Sequence, residues 1–388
     1  MYTWNPAGAV GGPSGFRERD EQARGVGTVR TLVRLLVLVA LFVVTSDAGA
    51  ADKAAAAKKS GAALEARHLG QIQRVTFGLP RAGEGYFSPD GKWVVYQAYP
   101  VGYPFYQIYV QKLGEKTTRR ISPGRGRTTC SYFTVDGKKI LFASSHTDPR
   151  IDQTEHQARE LAAKGGRRRY QWDFDKHMDI YVCDFNGTGL KRLTNTPGYD
   201  AEGSYSADGK QIVFTSSRDG DADLYIMDAD GKNVRQLVNN PGYDGGPFFS
   251  PDGNWVIYRS DRQKEHMLQI FAVSVDGKHD IQLTNNLGTV NWAPYFHPSS
   301  RYIIWTRADY SKGPRGAHFN LFTMDLKLGK TTVKAGDVRQ VTSNAAADVL
   351  PVFSPDGKKL MWTSARSKDK TSQLWIADWL RGTESAAK

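Results

Sequence analysis

Residues 87–91 read Phe-Ser-Pro-Asp-Gly, and the same five residues return at 249–253 and 353–357. Looser copies stand at 133–137 (Phe-Thr-Val-Asp-Gly), 205–209 (Tyr-Ser-Ala-Asp-Gly) and 296–300 (Phe-His-Pro-Ser-Ser). The last position of this marker recurs at 91, 137, 209, 253, 300 and 357, at intervals of 46, 72, 44, 47 and 57. A period near 45 with two insertions indicates one supersecondary unit copied along the chain.

Three columns of the repeat are aromatic throughout. Four residues before the marker's end stand Phe87, Phe133, Tyr205, Phe249, Phe296 and Phe353. Five after it stand Tyr96, Phe142, Phe214, Tyr258, Trp305 and Trp362. A third column, each member preceded by Ile or Leu, holds Tyr109, Tyr181, Tyr225, Phe271, Phe322 and Trp375. The flanks alternate apolar and polar, as in Lys210-Gln-Ile-Val-Phe214, which is a strand pattern. Pro-Asp-Gly-Lys is a type I turn with Gly in the left-handed position, and Asp230-Gly231 and Asp276-Gly277 mark a second hairpin. Each unit thus holds four strands: A before the marker, B after it, C at the third aromatic, D at its end. Strand D is visible at Arg120-Ile121, Arg192-Leu193, Gln236-Leu237, Gln282-Leu283 and Gln340-Val341. The sixth unit runs out after Trp379, while Arg74-Val75-Thr76 copies Gln340-Val341-Thr342 at the other end of the chain. The predicted fold is all-β: a six-bladed β-propeller with four-stranded blades, its N-terminal strand completing the last blade and removing the exposed sheet edge.

The chain has 388 residues, 44 aromatics and only two cysteines. This excludes a disordered chain, a disulfide scaffold and a zinc ribbon. Cys130 and Cys183 fall on strands two steps apart in one blade, too far for a disulfide. The net charge of +12 favours anions without naming a partner. Residues 35–44 (LLVLVALFVV) follow Arg30 and Arg34 and precede Ala48-Gly49-Ala50. They read as the leader of an exported protein, too short to span a bilayer. The expected organisation is a signal peptide over 1–50 cleaved near Ala50, a linker over 51–70, the propeller over 71–380 with an insertion at 148–177 in blade 2, and a tail over 381–388. The mature chain is expected to be periplasmic or secreted, monomeric, without a membrane span.

Leu193–Asp200 reads LTNTPGYD and Leu224–Gly231 reads LYIMDADG. With the Ser-Pro-Asp-Gly-Lys turn, these residues resemble the TolB-like, or PD40 and WD40-like, propeller family in all six units. The resemblance implies a binding platform with many uses. For TolB itself it implies a periplasmic role beside an envelope lipoprotein. The prolyl-oligopeptidase-type peptidases that carry similar propellers also carry a catalytic domain, but no Gly-x-Ser-x-Gly occurs here.

Spacing from the B to the C aromatic is 13, 39, 11, 13, 17 and 13 residues, so the B–C end, which strand D also feeds into, varies most. Length variation marks the face expected to carry function. Nine residues before the marker's end stand Ala82, Thr128, Asp200, Asp244, Asn291 and Asp348, expected at the channel mouth. Nine after it stand Pro100, His146, Arg218, Arg262, Asp309 and Arg366. Arginine accompanies aspartate in the same three units, so Asp200–Arg218, Asp244–Arg262 and Asp348–Arg366 are expected to be structural ion pairs. That leaves Thr128, His146, Asn291 and Asp309 as candidate ligand contacts.

The insertion offers a second candidate. Asp152–Glu155 reads as a capping box, 158–163 as helix, and Gly165-Gly166 as its stop. Arg167, Arg168, Arg169, Tyr170 and Trp172 then set three cations beside two rings, a pattern that grips a polyanion, glycan or headgroup. The alternative is that Tyr170, Trp172 and Phe174 pack the insertion onto blade 2 while the three arginines stay solvated. Asp219-Gly-Asp-Ala-Asp223 alternates like a calcium loop but lacks its glycine and glutamate, and reads as a plain turn. His297 and His318 are the one histidine pair with a chance of meeting, across the B–C connection. No cofactor, metal or catalytic residue is expected, and no nucleic acid partner. The resulting expectation is a non-catalytic propeller binding a protein, peptide or glycan on its B–C face. The alternative, which the resemblance to oligogalacturonate lyases suggests, is a channel-based metal-dependent polysaccharide lyase or hydrolase.

Overall fold

The structure is a computed structural model that describes residues 59–164 and 174–380. A short helix, α1 (59–65), leads into 24 strands arranged as six four-stranded antiparallel sheets. Blade I is β2 (Arg81–Phe87), β3 (Trp93–Tyr99), β4 (Gln107–Lys112) and β5 (Thr118–Arg120). Blade II holds β6 (Thr128–Phe133), β7 (Lys139–Ser144), β8 (Asp179–Asp184) and β9 (Lys191–Arg192). Blade III runs from β10 (Asp200–Tyr205) through β11 (Gln211–Ser216) and β12 (Asp223–Asp228) to β13 (Arg235–Gln236). Blade IV begins with β14 (Asp244–Phe249) and β15 (Trp255–Ser260), and blade V with β18 (Thr289–Phe296) and β19 (Tyr302–Asp309). In blade VI the order is β1 (Leu69–Arg74), β24 (Gln373–Trp379), β23 (Lys359–Ser364), β22 (Asp348–Phe353).

The aromatic columns set the register. In all six blades the second and third columns face one another across strands B and C: Tyr96 opposite Tyr109, Phe142 opposite Tyr181, Phe214 opposite Tyr225, Tyr258 opposite Phe271, Trp305 opposite Phe322 and Trp362 opposite Trp375. Such cross-strand pairs are the unit of sheet stabilisation. All six second-column rings are fully buried. The closing strand obeys the same register, because Arg74 pairs with Trp375 as Gln340 pairs with Phe322. It starts at Leu69, earlier than the copied tripeptide, and α1 adds a second tie. Glu65 accepts the Ser343 amide at 3.1 Å and lies 3.3 Å from Arg366.

The marker turn repeats its own hydrogen bonds. Asp90, Asp136, Asp208 and Asp356 each accept from the Ser or Thr two residues earlier and from the amide two residues later. These bonds hold their carboxyls below the usual range, the hydroxyl having the largest effect. Gly91, Gly137, Gly209, Gly253 and Gly357 sit at φ 68–73°, where a side chain is strained.

Candidate functional site in the central channel

Every A strand carries a bulge. Register with strand B shifts at Gly83/Gly85, Thr129/Tyr132, Ala201/Ser204, Gly245/Phe248, Trp292/Tyr295 and Val349/Val352. At each shift one residue turns left-handed: Glu84, Cys130, Glu202, Gly246, Ala293 and Leu350, with φ of 46–60°. Five of the six carry a side chain, so the ring stores backbone strain, of the kind that clusters at ligand sites. These six residues line a cavity of about 200 Å³. Its rim is formed by Arg81 and Tyr106 of blade I and by Ala347, Ala365 and Ser372 around blade VI. Arg81 is the first residue of β2 and the others lie on the D–A and B–C connections, so the cavity belongs to the face that the loop-length variation marks.

The cavity does not run through the ring. Tyr86, Tyr132, Phe248 and Tyr295 meet at centroid distances of 5.1–6.3 Å, and the Tyr132 and Tyr295 hydroxyls are 3.2 Å apart. Beyond this plug, first-column rings and the marker prolines line a bowl of about 270 Å³ on the opposite face.

The polar half of the ring is uneven. Glu202 accepts from the Tyr243 hydroxyl at 2.9 Å, from Arg259 Nη2 at 3.1 Å, from Tyr199 at 3.3 Å and from the Gly246 amide. Gly246 makes room for this: a Cβ there would lie 2.8 Å from Arg259 Cζ. Glu84 has far less. The Tyr86 hydroxyl is 3.5 Å away, and the Cys130 thiol is its other side-chain donor. Burial, then the nearby Glu202 charge, pushes the Glu84 carboxyl up to about 7. Burial and both glutamates raise Cys130 well above the usual thiol value, so it stays a neutral thiol. Both cysteines are free and buried.

The residues nine before the marker's end do not face the channel. The bulge adds one residue between them and the ring, so alternation on its two sides falls out of step. Asp200, Asp244 and Asp348 therefore point into their blades, almost fully buried. Arg218 lies 3.1 Å from Asp200, Arg366 2.8 Å from Asp348, and Arg262 3.5 Å from Asp244. The looser third pair has its arginine drawn to Asp280 at 2.7 Å. Each guanidinium also lies over the B and C aromatics of its blade, with Phe214 and Tyr225 under Arg218.

The four candidate contacts are not brought together. Thr128 is buried and donates to the Tyr106 carbonyl at 3.0 Å. Asn291 is buried too, accepting from the Trp305 indole and donating to Gln269. His146 is half-buried against Tyr181, its Nδ1 2.9 Å from Ser144. Asp309 is exposed and accepts the Ser311 amide. His297 sits on the A–B hairpin and His318 on the B–C connection, so the length of β19 separates them and they do not meet.

Arg167, Arg168, Arg169, Tyr170 and Trp172 lie outside the described residues, as does the leader over 1–50. The flanks of the insertion are described. Helix α2 (Ile151–Ala163) has no side-chain cap. Glu155 is taken instead by the Tyr103 hydroxyl at 2.6 Å and the Gly126 amide, and Asp152 by Arg125. Phe174 packs against Ala143 and Met178 of blade II together with Tyr199 and Ala201, and its ring also meets Tyr243 ahead of blade IV, while Asp175 holds Arg127 at 2.9 Å. Asp219, Asp221 and Asp223 cluster closely enough to hold an ion, at the outer B–C turn of blade III rather than in the channel. Among the described residues lining the cavity none is a histidine. Among the described residues no helix is long and apolar enough to cross a membrane.

These features define a closed six-bladed propeller with a blind channel cavity on one face. The family model described as PD40, the TolB beta propeller domain, matches residues 217–333. Solved structures at TM-score 0.50 agree on the fold. A protein described as TolB from Agrobacterium tumefaciens is 19% identical, with TM-score 0.50, over 79% of this chain and 96% of its own. TolB from Acinetobacter baumannii is 20% identical, with TM-score 0.49, over 77% of this chain and 64% of its own. The oligogalacturonate lyase of Vibrio parahaemolyticus is 11% identical, with TM-score 0.50, over 79% and 93%. Residues 217–333 thus match the TolB propeller domain, and the whole ring shares its fold with the TolB structure from Agrobacterium tumefaciens.

Proposed function

We propose that this chain is an exported, non-catalytic binding propeller that takes a protein, peptide or glycan ligand over the D–A and B–C face. The observation that carries this reading is the blind cavity with its strained polar ring, open on the face where the blade II insertion also lands. A pocket with a few convergent polar groups and a perturbed carboxyl is the default binding site of a protein. His146 and Asp309 belong to the same face, and the arginines at 167–169 with Tyr170 and Trp172 are proposed as its further grip. The leader read in residues 1–50 supports an address in the periplasm or outside the cell, and the chain is proposed to act there as a monomer with an envelope lipoprotein as one candidate partner. The lyase alternative requires a channel metal, and the described lining of the cavity, which holds two glutamates and a cysteine but no histidine, gives it less support.

Affinity capture from the native envelope tests the reading, run with the full chain, with residues 148–177 deleted and with Ala365→Trp at the cavity rim. Capture lost in both variants supports a ligand at this mouth. Capture unchanged in both refutes it. Stoichiometric manganese or zinc in the purified protein would favour the lyase.

A further inference from the structure

The two glutamates of the channel ring differ in how their charge is answered. Glu202 is met by a guanidinium, two phenols and an amide. Glu84 is 7% exposed and meets one long contact from a phenol and a weak thiol donor. A buried carboxylate with so little compensation is costly. Arg259 is already committed to Glu202 and Tyr243. At the rim, Arg81 is engaged by the Tyr106 hydroxyl. An anion entering the cavity therefore meets Glu84 without an uncommitted cation beside it. The wall on blades V and VI is apolar, built from Trp292, Ala293, Val349 and Leu350. About 200 Å³ is many times the roughly 10–15 Å³ that admits one water.

We propose that the channel cavity binds the protonated amine of its ligand, with Glu84 as the counter-charge and Trp292 and Leu350 as the walls for the carbon chain behind it. This rests on the mouth being the ligand face. A compact ammonium offers three donors, enough for the Glu84 carboxylate and the Tyr86 hydroxyl together. A lysine side chain or a chain's N-terminal amine has this shape. A neutral glycan has no group that needs Glu84. The groups facing Glu84 are Tyr86 on its own strand, Cys130 from β6, Glu202 from β10 and Arg259 from β15, with Arg81 and Tyr106 toward the rim. Burial and the Glu202 charge push the Glu84 carboxyl up to about 7, inside the window between pH 6 and 8.5.

The test is calorimetric titration of the full chain with n-hexylammonium and with n-hexanol at pH 8.5 and pH 6. The expected result is an ammonium preference of about tenfold at pH 8.5, the scale of one charge-assisted contact. That preference shrinks at pH 6 as Glu84 takes up a proton. Glu84→Gln abolishes the preference while hexanol still binds, which shows that the cavity remains folded. Equal binding of the two probes, no binding of either, or a preference that survives Glu84→Gln overturns the proposal. Native capture separates this failure from failure of the mouth reading. Capture that Ala365→Trp removes and Glu84→Gln leaves intact sinks the amine and keeps the mouth.

Discussion

Replacing Glu84 by glutamine is expected to stabilise the fold in mild alkali and leave it unchanged in acid. The Glu84 carboxyl is pushed from an ordinary 4.5 up to about 7, by burial first and by Glu202 second. A folded value above the unfolded one means the native chain binds more protons than the unfolded chain between those two limits. Stability is therefore fully present below about pH 4.5 and falls as pH rises through about 7. The interval corresponds to about 3 kcal/mol by linkage, an upper figure because the denatured chain is not fully solvated. Glutamine keeps the shape and never ionises, so that loss disappears. The assay is urea unfolding of both proteins at pH 5 to 9, compared by midpoint at constant slope. The gap between the two curves should open as pH rises from about 4.5 to 7 and hold constant above that, with the variant the more stable. Parallel curves across the range would refute the argument, since they would mean that Glu84 is ionised and fully paired in the folded chain.

Arg366→Ala should cost about 3–5 kcal/mol, because it strands Asp348 and Glu65 without their cation; a urea midpoint within error of the parent would count against the lock. Gly246→Ala should destabilise by about 1–3 kcal/mol, since φ is +60° and the new methyl collides with Arg259. Its thermal midpoint should fall and the Glu202–Arg259 bond should be broken in a crystal structure. Removing residues up to Arg74 should abolish cooperative melting by circular dichroism, because β24 then presents a bare edge; a sharp transition at the parental temperature would contradict ring closure.

The sequence carries the ring plainly because its information sits in side chains that repeat in register. The Tyr96–Tyr109 and Trp362–Trp375 pairs mark strands B and C, and Arg74 betrays the closing strand by copying Gln340. The three Asp–Arg pairs were legible for the same reason: their two columns change together from unit to unit. The channel ring was not. Its column reads Glu, Cys, Glu, Gly, Ala, Leu, with no common chemistry, and what unites it is a backbone dihedral. A bulge also breaks the two-residue alternation of inward-facing side chains, so a regular strand pattern points to residues two positions away. A weaker signal was present. Gly83, Gly85, Gly203, Gly245, Pro247, Pro294 and Pro351 interrupt strands that should tolerate neither residue in their middle.

The clasp between β1 and β24 fixes an order of events. The segment synthesised first among the strands finds its seat only against the segment synthesised last, about 300 residues later. Until Trp375 has emerged, Arg74 has no neighbour, and every shorter nascent chain leaves blade VI without its outer strand. Early termination anywhere before β24 thus yields a chain with two sticky ends instead of a smaller version of the same ring.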